Sequence, residues 1–170
     1  MCTTIFFYMF MTKKRMSKTD SLHYKLCCKG AEWLMKKPWA GIKYVAVELI
    51  CQGLEKTDVY GTNGFDSYVI EVKTSHSDFV NDLKKKVRNE QFKKYQTGNW
   101  RYYLCPKDLI EIDQLPEKWG LLEYDMVSDT ISLKHESEYQ MCNNFGDVTI
   151  LCSIMRREGI KKQIFNYRKK

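Results

Sequence analysis

Two strand-like segments joined by an Asn-Gly pair constrain the fold of this chain more than any other feature. Residues 57–60 and 67–73 are rich in β-branched and aromatic side chains, and Asn63-Gly64 lies between them. Asn-Gly is the strongest short-range signal for a tight β-hairpin, because both residues accept the left-handed backbone that such a turn requires. We therefore predict an antiparallel hairpin centred on Asn63-Gly64.

Helical and strand-like patterns surround this hairpin. Apolar residues recur at helical spacing over 23–37, and a second helix, capped by Ser75 or Ser77, is predicted to extend to about Tyr95. The order helix, three strands, helix, strand is typical of an α/β domain with a central mixed sheet flanked by helices. Further predicted elements are strands at 42–50 and 101–105, a terminal hairpin at 119–124 and 130–133, and a helix at 147–157.

The composition indicates one folded domain with a basic surface. Of the 170 residues, 44% are hydrophobic and 14% aromatic, which suffices for a core and argues against disorder. The net charge of +7 suits a polyanionic partner such as nucleic acid, and suits equally a surface that is merely solubilising. We predict a loosely ordered extension over 1–16, a single domain over 17–160 and a basic tail over 161–170.

The sequence predicts neither a secreted nor a membrane protein. The apolar run Ile5–Phe10 is too short to span a bilayer and lacks the flanking charge and cleavage site of a signal peptide. The seven cysteines include no Cys-x-x-Cys pair, and His23, His76 and His135 are scattered, which indicates neither a disulfide framework nor a zinc site. We expect reduced thiols and a cytoplasmic location.

The hairpin brings two carboxylates and a lysine to one face of the sheet. With this turn, Asp58 is predicted to lie opposite Val69 and diagonal to Glu71, and Lys73 shares their face because side chains alternate along a strand. The two carboxylates could share a Mg²⁺ ion, with Mn²⁺ as a substitute, while Lys73 orients a metal-bound water or stabilises negative charge. Alternating charge is also ordinary on a solvated strand face, and geometry alone leaves both interpretations open.

A longer pattern continues from these residues. Asp58-x₁₂-Glu71-x-Lys73 resembles the metal-binding motif of the PD-(D/E)XK nuclease superfamily. The run Glu-Val-Lys-Thr-Ser-His-Ser-Asp-Phe, which begins at Glu71, is similar to that of small bacterial and phage MmcB-like DNA-repair nucleases, and the resemblance covers about 45–124. It implies a restriction-endonuclease-like core and a Mg²⁺-dependent nuclease that hydrolyses phosphodiester bonds of DNA in repair, recombination or phage DNA processing, in a bacterial or phage-infected cell.

The same resemblance implies roles for individual residues. The backbone carbonyl of Val72 would be a further metal ligand, and Glu48 matches an upstream acid that binds a second metal or a metal-bound water. For Glu48, a strand-end carboxylate facing solvent is the alternative. Thr57 stands where proline is usual, which leaves the ligands in place, and His76 stands where arginine is expected, which would weaken a phosphate contact or make it titratable.

Basic residues after the motif are candidate phosphate contacts. A helix here would carry lysines beside the site, where a phosphate backbone must pass, although a charged helix face is ordinarily just solvated. The aromatic residues around Arg101 could stack on bases, with burial in the sheet as the alternative for at least two rings. The predicted nucleic-acid-binding residues are Ser75, His76, Lys84, Lys85, Lys86, Arg88 and Arg101.

Three other acids receive structural assignments, and two other functions stay open. Asp66 is predicted to lie opposite Gly61 on the wrong face, while Asp78 and Asp82 are assigned to helix capping and to pairs on the helix surface.

The alternative functions are a non-catalytic nucleic-acid-binding module of the same fold and a phage interaction protein that inhibits host defence. The sequence leaves monomer and homodimer equally open.

Overall fold

An α/β fold with one mixed sheet is formed in the computed structural model, which describes residues 21–37, 40–51, 55–85, 96–142 and 144–160. Its α-helices are α1 (Leu22–Met35), α2 (His76–Leu83) and α3 (Asn144–Arg157). Its strands are β1 (Tyr44–Val47), β2 (Val59–Thr62), β3 (Ser67–Val72), β4 (Trp100–Pro106), β5 (Gly120–Asp125) and β6 (Thr130–His135). The predicted class, a mixed sheet flanked by helices, is confirmed.

The strands follow one another across the sheet in chain order, from β1 to β6. The pairs β1–β2, β2–β3 and β5–β6 are antiparallel, whereas β3–β4 and β4–β5 are parallel. Parallel neighbours need a crossover connection, and α2 lies in the crossover between β3 and β4. The strand that carries Glu71, β3, has β2 on one side and β4 on the other.

The core consists of two apolar layers, one on each face of the sheet. On the first face, Leu26 of α1 packs in one cluster with Ile70 of β3. On the second face, the ring of Phe79 in α2 meets the ring of Tyr103 edge-on, with 5.1 Å between their centroids. Ile150 of α3 packs on this second face as well. Both faces of the central strands are consequently covered.

The turn between β2 and β3 is longer than predicted. Thr62 pairs with Ser67, so the turn holds the four residues 63–66 instead of two. The longer turn shifts the pairing by two residues, which places Asp58 directly opposite Glu71 when the register is continued, rather than diagonal to it. Because two residues are one full period of the strand, Glu71 keeps its predicted face, whereas the carboxylate of Asp58 contacts His23 of α1, on the first face.

Asn63 fixes the conformation of this turn. Its Oδ1 accepts hydrogen bonds from the backbone N–H groups of Phe65 and Asp66 at 2.7 and 2.8 Å. Its Nδ2 donates to the carbonyl oxygen of Ala40 at 2.8 Å, which ties the turn to the segment before β1. One side chain thus both closes the turn and anchors it.

Several predicted features lie outside the described residues. They are the extension over 1–16, the tail over 161–170, and residues 86–95 of the second predicted helix, which include Lys86 and Arg88. The described helix, α2, ends at Leu83, so the prediction of one helix to about Tyr95 is wrong. Among the described helices, none combines the length and the apolar character that crossing a bilayer requires. The described cysteines, Cys27, Cys28, Cys51, Cys105, Cys142 and Cys152, form no disulfide.

Replacing Asn63 by alanine is expected to lower the free energy of unfolding by about 1–3 kcal/mol, since three hydrogen bonds of roughly 1 kcal/mol each are lost. Urea denaturation followed by circular dichroism measures this change. Asn81→Ala, at an exposed position of α2, is the matched control and should leave stability unchanged or slightly raised, because alanine is the better helix former. A turn variant as stable as this control would contradict the assignment.

Candidate functional site

Three acidic residues occupy neighbouring backbone positions at one end of the first three strands. The backbone N–H of Glu48 donates to the carbonyl oxygen of Asp58 at 2.8 Å, which continues the β1–β2 pairing by one residue. The β2–β3 register, continued in the same way, places Asp58 opposite Glu71. Glu48, Asp58 and Glu71 are therefore neighbours in one row, with about 5 Å between adjacent strands.

The carboxylate of Asp58 is held by contacts at both of its oxygens. Oδ2 accepts a hydrogen bond from the backbone N–H of Val72 at 2.8 Å, and Oδ1 lies 3.4 Å from Nε2 of His23 in α1. The side chain is 23% exposed. Together with Glu48 it lines a groove of about 120 Å³. Asp58 thus combines a fixed orientation with access to solvent. The metal-binding role predicted for the carbonyl of Val72 stays a prediction.

Glu48, the residue that follows β1, has a positive backbone φ angle. Its φ of +48° lies in the left-handed region, which residues other than glycine, asparagine and aspartate seldom adopt. Its Oε1 lies 3.7 Å from Nδ1 of His23, so the side chain shares its surroundings with Asp58. Strained backbone of this kind costs roughly 1–3 kcal/mol and is concentrated at functional sites.

Lys73 is buried among charged partners beneath α2. Glu71 and Lys73 are 2% and 3% exposed, and Nζ of Lys73 lies 3.6 Å from Oε2 of Glu71 and 3.2 Å from Oδ1 of Asp82. Asp82 also accepts a hydrogen bond from the Tyr103 hydroxyl at 2.7 Å and pairs with Nζ of Lys85 at 2.5 Å. The ammonium group is therefore held between two acids, one on β3 and one on α2.

This cluster corrects the assignment of Asp82 to the helix surface. Asp82 is 1% exposed because it follows Phe79 by three residues and shares the face of α2 that packs on the sheet. The helical phase of Phe79 was the available signal. Asp78 is exposed in the first turn, and its backbone N–H donates to Ser75 Oγ at 3.2 Å, which confirms Ser75 as the helix cap.

Four of the predicted nucleic-acid contacts lie on the surface near α2. Ser75, His76, Lys84 and Lys85 are all exposed. Nε2 of His76 lies 3.3 Å from Nε2 of Gln114. These positions are accessible to a polyanion, and their contact with nucleic acid stays a prediction.

Arg101 is a core residue, so its predicted contact with nucleic acid is wrong. It is 0% exposed, and its guanidinium donates to the carboxylate of Glu55 at 2.6 and 3.0 Å. The guanidinium also stacks over Trp119, 4.5 Å from the ring centroid. The cause is the central position of β4, which buries Tyr102 and Tyr103 as well.

A second group of potential metal ligands was not predicted. His23 and Cys27 lie one turn apart on α1, and one ligand atom from each lies within 4.8 Å of the other and of an Asp58 oxygen. Among the described residues, Glu48, Asp58 and Glu71 do not form a group this tight. The absence of Cys-x-x-Cys pairs argued against a zinc site. The His-x₃-Cys spacing within a helix is the sequence signal that could have indicated this group.

Burial and nearby negative charge both act on Cys27. Burial raises the pKa of the Cys27 thiol far above its usual range, and the carboxylates of Asp58 and Glu48 raise this pKa further. Without a cation beside it, the thiol therefore stays protonated at neutral pH.

A solved structure with a similar fold is found by comparison with known proteins. The structure is similar to the SPO1766 protein of unknown function from Silicibacter pomeroyi, with a TM-score of 0.56 and 19% sequence identity over 78% of this chain and 86% of that chain. At this level of identity the likeness shows a shared fold alone. No family model matches the chain, and no curated protein matches it.

Arg101→Met is expected to lower the free energy of unfolding by about 3–5 kcal/mol, because it leaves the carboxylate of Glu55 buried without the guanidinium. Chemical denaturation measures the loss. Arg156→Met, at an exposed position of α3, is the matched control and should change stability by no more than about 0.5 kcal/mol. Equal stability of the two variants would show that Arg101 is not a core residue.

Proposed function

We propose that this protein is a Mg²⁺-dependent nuclease that hydrolyses phosphodiester bonds, with DNA as its substrate. The observation that carries the proposal is the row of Glu48, Asp58 and Glu71 on neighbouring strands, with Lys73 two residues beyond Glu71. This row has the residue types and the spacing of the PD-(D/E)XK motif that the sequence resembles. The fold, a mixed sheet flanked by helices, is compatible with that superfamily.

The donor set fits a hard divalent cation. Glu48 and Asp58 line one groove with carboxylate oxygens, which Mg²⁺ and Mn²⁺ prefer, and Glu71 with the carbonyl of Val72 would supply the remaining ligands. The ion would polarise a phosphoryl oxygen and lower the pKa of a bound water. A cation would also offset the negative charge that Glu48 and Asp58 bring to the groove.

Residues of the chain would position the reacting groups. The N–H of Val72 fixes Oδ2 of Asp58, so this carboxylate needs little reorientation to bind an ion. Lys73 would orient the attacking water or stabilise negative charge on the phosphate. Asp82 and Tyr103 act as positioning residues, because the hydrogen bond between them holds the carboxylate that contacts the ammonium of Lys73.

Exposed positive charge at the groove and at the end of α2 suits a phosphate backbone. Lys56 lines the groove together with Asp58, and Lys84 and Lys85 are exposed at the end of α2. With a net charge of +7 for the chain, these groups favour a polyanionic substrate.

A non-catalytic nucleic-acid-binding module is the second candidate. The burial of Glu71 and Lys73, at 2% and 3% exposure, favours it because catalytic groups must reach a substrate. Calorimetric titration separates the two candidates. DNA binding without any binding of Mg²⁺ or Mn²⁺ would favour the non-catalytic module.

Asp58→Asn is expected to reduce Mg²⁺-dependent cleavage by more than about 100-fold, the upper end of the loss seen for groups that only support a metal ligand. The change is isosteric at a partly exposed position, so thermal unfolding should stay close to that of the wild type. Cleavage of labelled single- and double-stranded DNA and RNA measures the effect. Asp66→Asn, in the β2–β3 turn, is the matched control and should keep full activity; equal activity of both variants would refute the proposed role of Asp58.

Lys56→Gln is expected to weaken DNA binding and to reduce the slope of log affinity against log salt concentration by about one, the contribution of one phosphate contact. Fluorescence anisotropy across a salt series measures this slope. Lys36→Gln, at the exposed residue that follows α1 and pairs with Glu32, should leave both quantities unchanged. An unchanged slope in Lys56→Gln would show that DNA does not pass along the groove.

A further inference from the structure

Three different kinds of metal ligand converge where α1 crosses the end of β2. His23 and Cys27 project from neighbouring turns of α1, and Nδ1 of His23 lies 3.6 Å from Sγ of Cys27. Nε2 of the same ring lies 3.4 Å from Oδ1 of Asp58. One ligand atom from each of the three side chains falls within 4.8 Å of the others.

The group is compact enough to hold one ion. Bonds of about 2.0 Å to nitrogen or oxygen and about 2.3 Å to sulfur place neighbouring ligands of a zinc-type ion about 3.5 Å apart. One ligand atom from each of His23, Cys27 and Asp58 lies within 4.8 Å of the others, so rotation of these side chains would bring them to that separation, with a single nitrogen of the His23 ring binding the ion. His23 and Asp58 are 33% and 23% exposed, which gives the ion a path from solvent and leaves a position for water.

The chemistry of the ligands selects the class of ion. A thiolate and an imidazole prefer Zn²⁺ and related borderline-soft cations, whereas Mg²⁺ takes oxygen ligands almost exclusively. The carboxylates of Glu48 and Asp58 lie 3.7 and 3.4 Å from Nδ1 and Nε2 of His23 and add negative charge to the group, which a divalent cation would offset. A hard-metal site and this group therefore differ in the ion they favour, although they share Asp58.

We propose that His23, Cys27 and Asp58 form a binding site for a Zn²⁺-class cation, which overlaps the proposed Mg²⁺ site at Asp58. Binding at this site does not depend on nuclease activity. Where the proposed function holds, a second consequence rests on it: an ion held by His23 and Cys27 takes up Asp58 and inhibits Mg²⁺-dependent cleavage.

Titration of the reduced full-length protein with Co²⁺ tests the site directly, because a cobalt–thiolate bond absorbs in the near ultraviolet and tetrahedral Co²⁺ gives intense visible bands. We expect both features to saturate at one Co²⁺ per chain and to disappear when Zn²⁺ is added. Binding without the thiolate absorption, or no saturable binding, would overturn the proposal.

Single substitutions assign the ligands. Cys27→Ser should abolish the thiolate absorption, and Cys28→Ser, the matched change at the adjacent position of α1, should retain it. His23→Gln and Asp58→Asn should each weaken Co²⁺ binding by at least about tenfold, the smallest loss typical of groups that only support a ligand. His23 is partly exposed, so its variant keeps the test decisive even where Cys27→Ser fails to fold. Thiolate absorption retained in Cys27→Ser, or affinity unchanged in His23→Gln, would overturn the assignment.

Inhibition by Zn²⁺ separates this proposal from the proposed function. In the presence of excess Mg²⁺, about one equivalent of Zn²⁺ should inhibit DNA cleavage by the wild type and by Cys28→Ser, but not by Cys27→Ser. Equal inhibition of Cys27→Ser and Cys28→Ser would overturn the competition. If the wild-type protein cleaves no nucleic acid, the proposed function is refuted. The cobalt titration would still decide whether the metal site exists.

Discussion

The burial of Lys73 between two acids is the interaction on which the arrangement of the candidate site depends. It joins β3, through Glu71, to α2, through Asp82, and the Tyr103 hydroxyl extends the contact to β4. Each buried charge costs several kcal/mol in lost hydration, which is recovered only when the partners are in place. The three elements are thereby held in one relative position. Apolar side chains of similar volume often stabilise such packing equally well, so stability alone does not account for this cluster. The proposed chemical role at the sheet end would account for it.

Asp58 occupies the junction between this cluster and α1. It lies in the row with Glu48 and Glu71, yet its Oδ1 is directed towards His23 on the helix that covers the first face of the sheet. Its position at the bend before β2 explains this double relation, because the side chain there is not confined to the alternation of a regular strand. Asp58 therefore has Glu48 and Glu71 as neighbours along the end of the sheet, and the ring nitrogen of His23 and the sulfur of Cys27 on the side of α1.

The strands and their faces could be predicted from the sequence, while the partners of several buried charges could not. The turn around Asn63 is two residues longer than predicted, yet Glu71 keeps its face, because an error of two residues restores the strand period. Arg101 lies beside aromatic residues that suit a binding surface equally well. Its burial follows from the central place of β4 and from a pairing with Glu55, which is 46 residues distant in the chain. Asp82 was predictable in principle, since the helical phase of Phe79 puts it on the sheet side.

The position of Asp58 makes the two proposed ions mutually dependent. Its Oδ2 is engaged by the N–H of Val72, so Oδ1 is the better donor for an ion on either side. When two ligands compete for one group, each reduces the affinity for the other by the same factor, as thermodynamic linkage requires. If His23 and Cys27 hold a soft cation, that cation lowers the affinity for Mg²⁺ by a certain factor. Mg²⁺ then lowers the affinity for the soft cation by the same factor. A chain that gains activity from one metal at this carboxylate would in this way also respond to the concentration of the other.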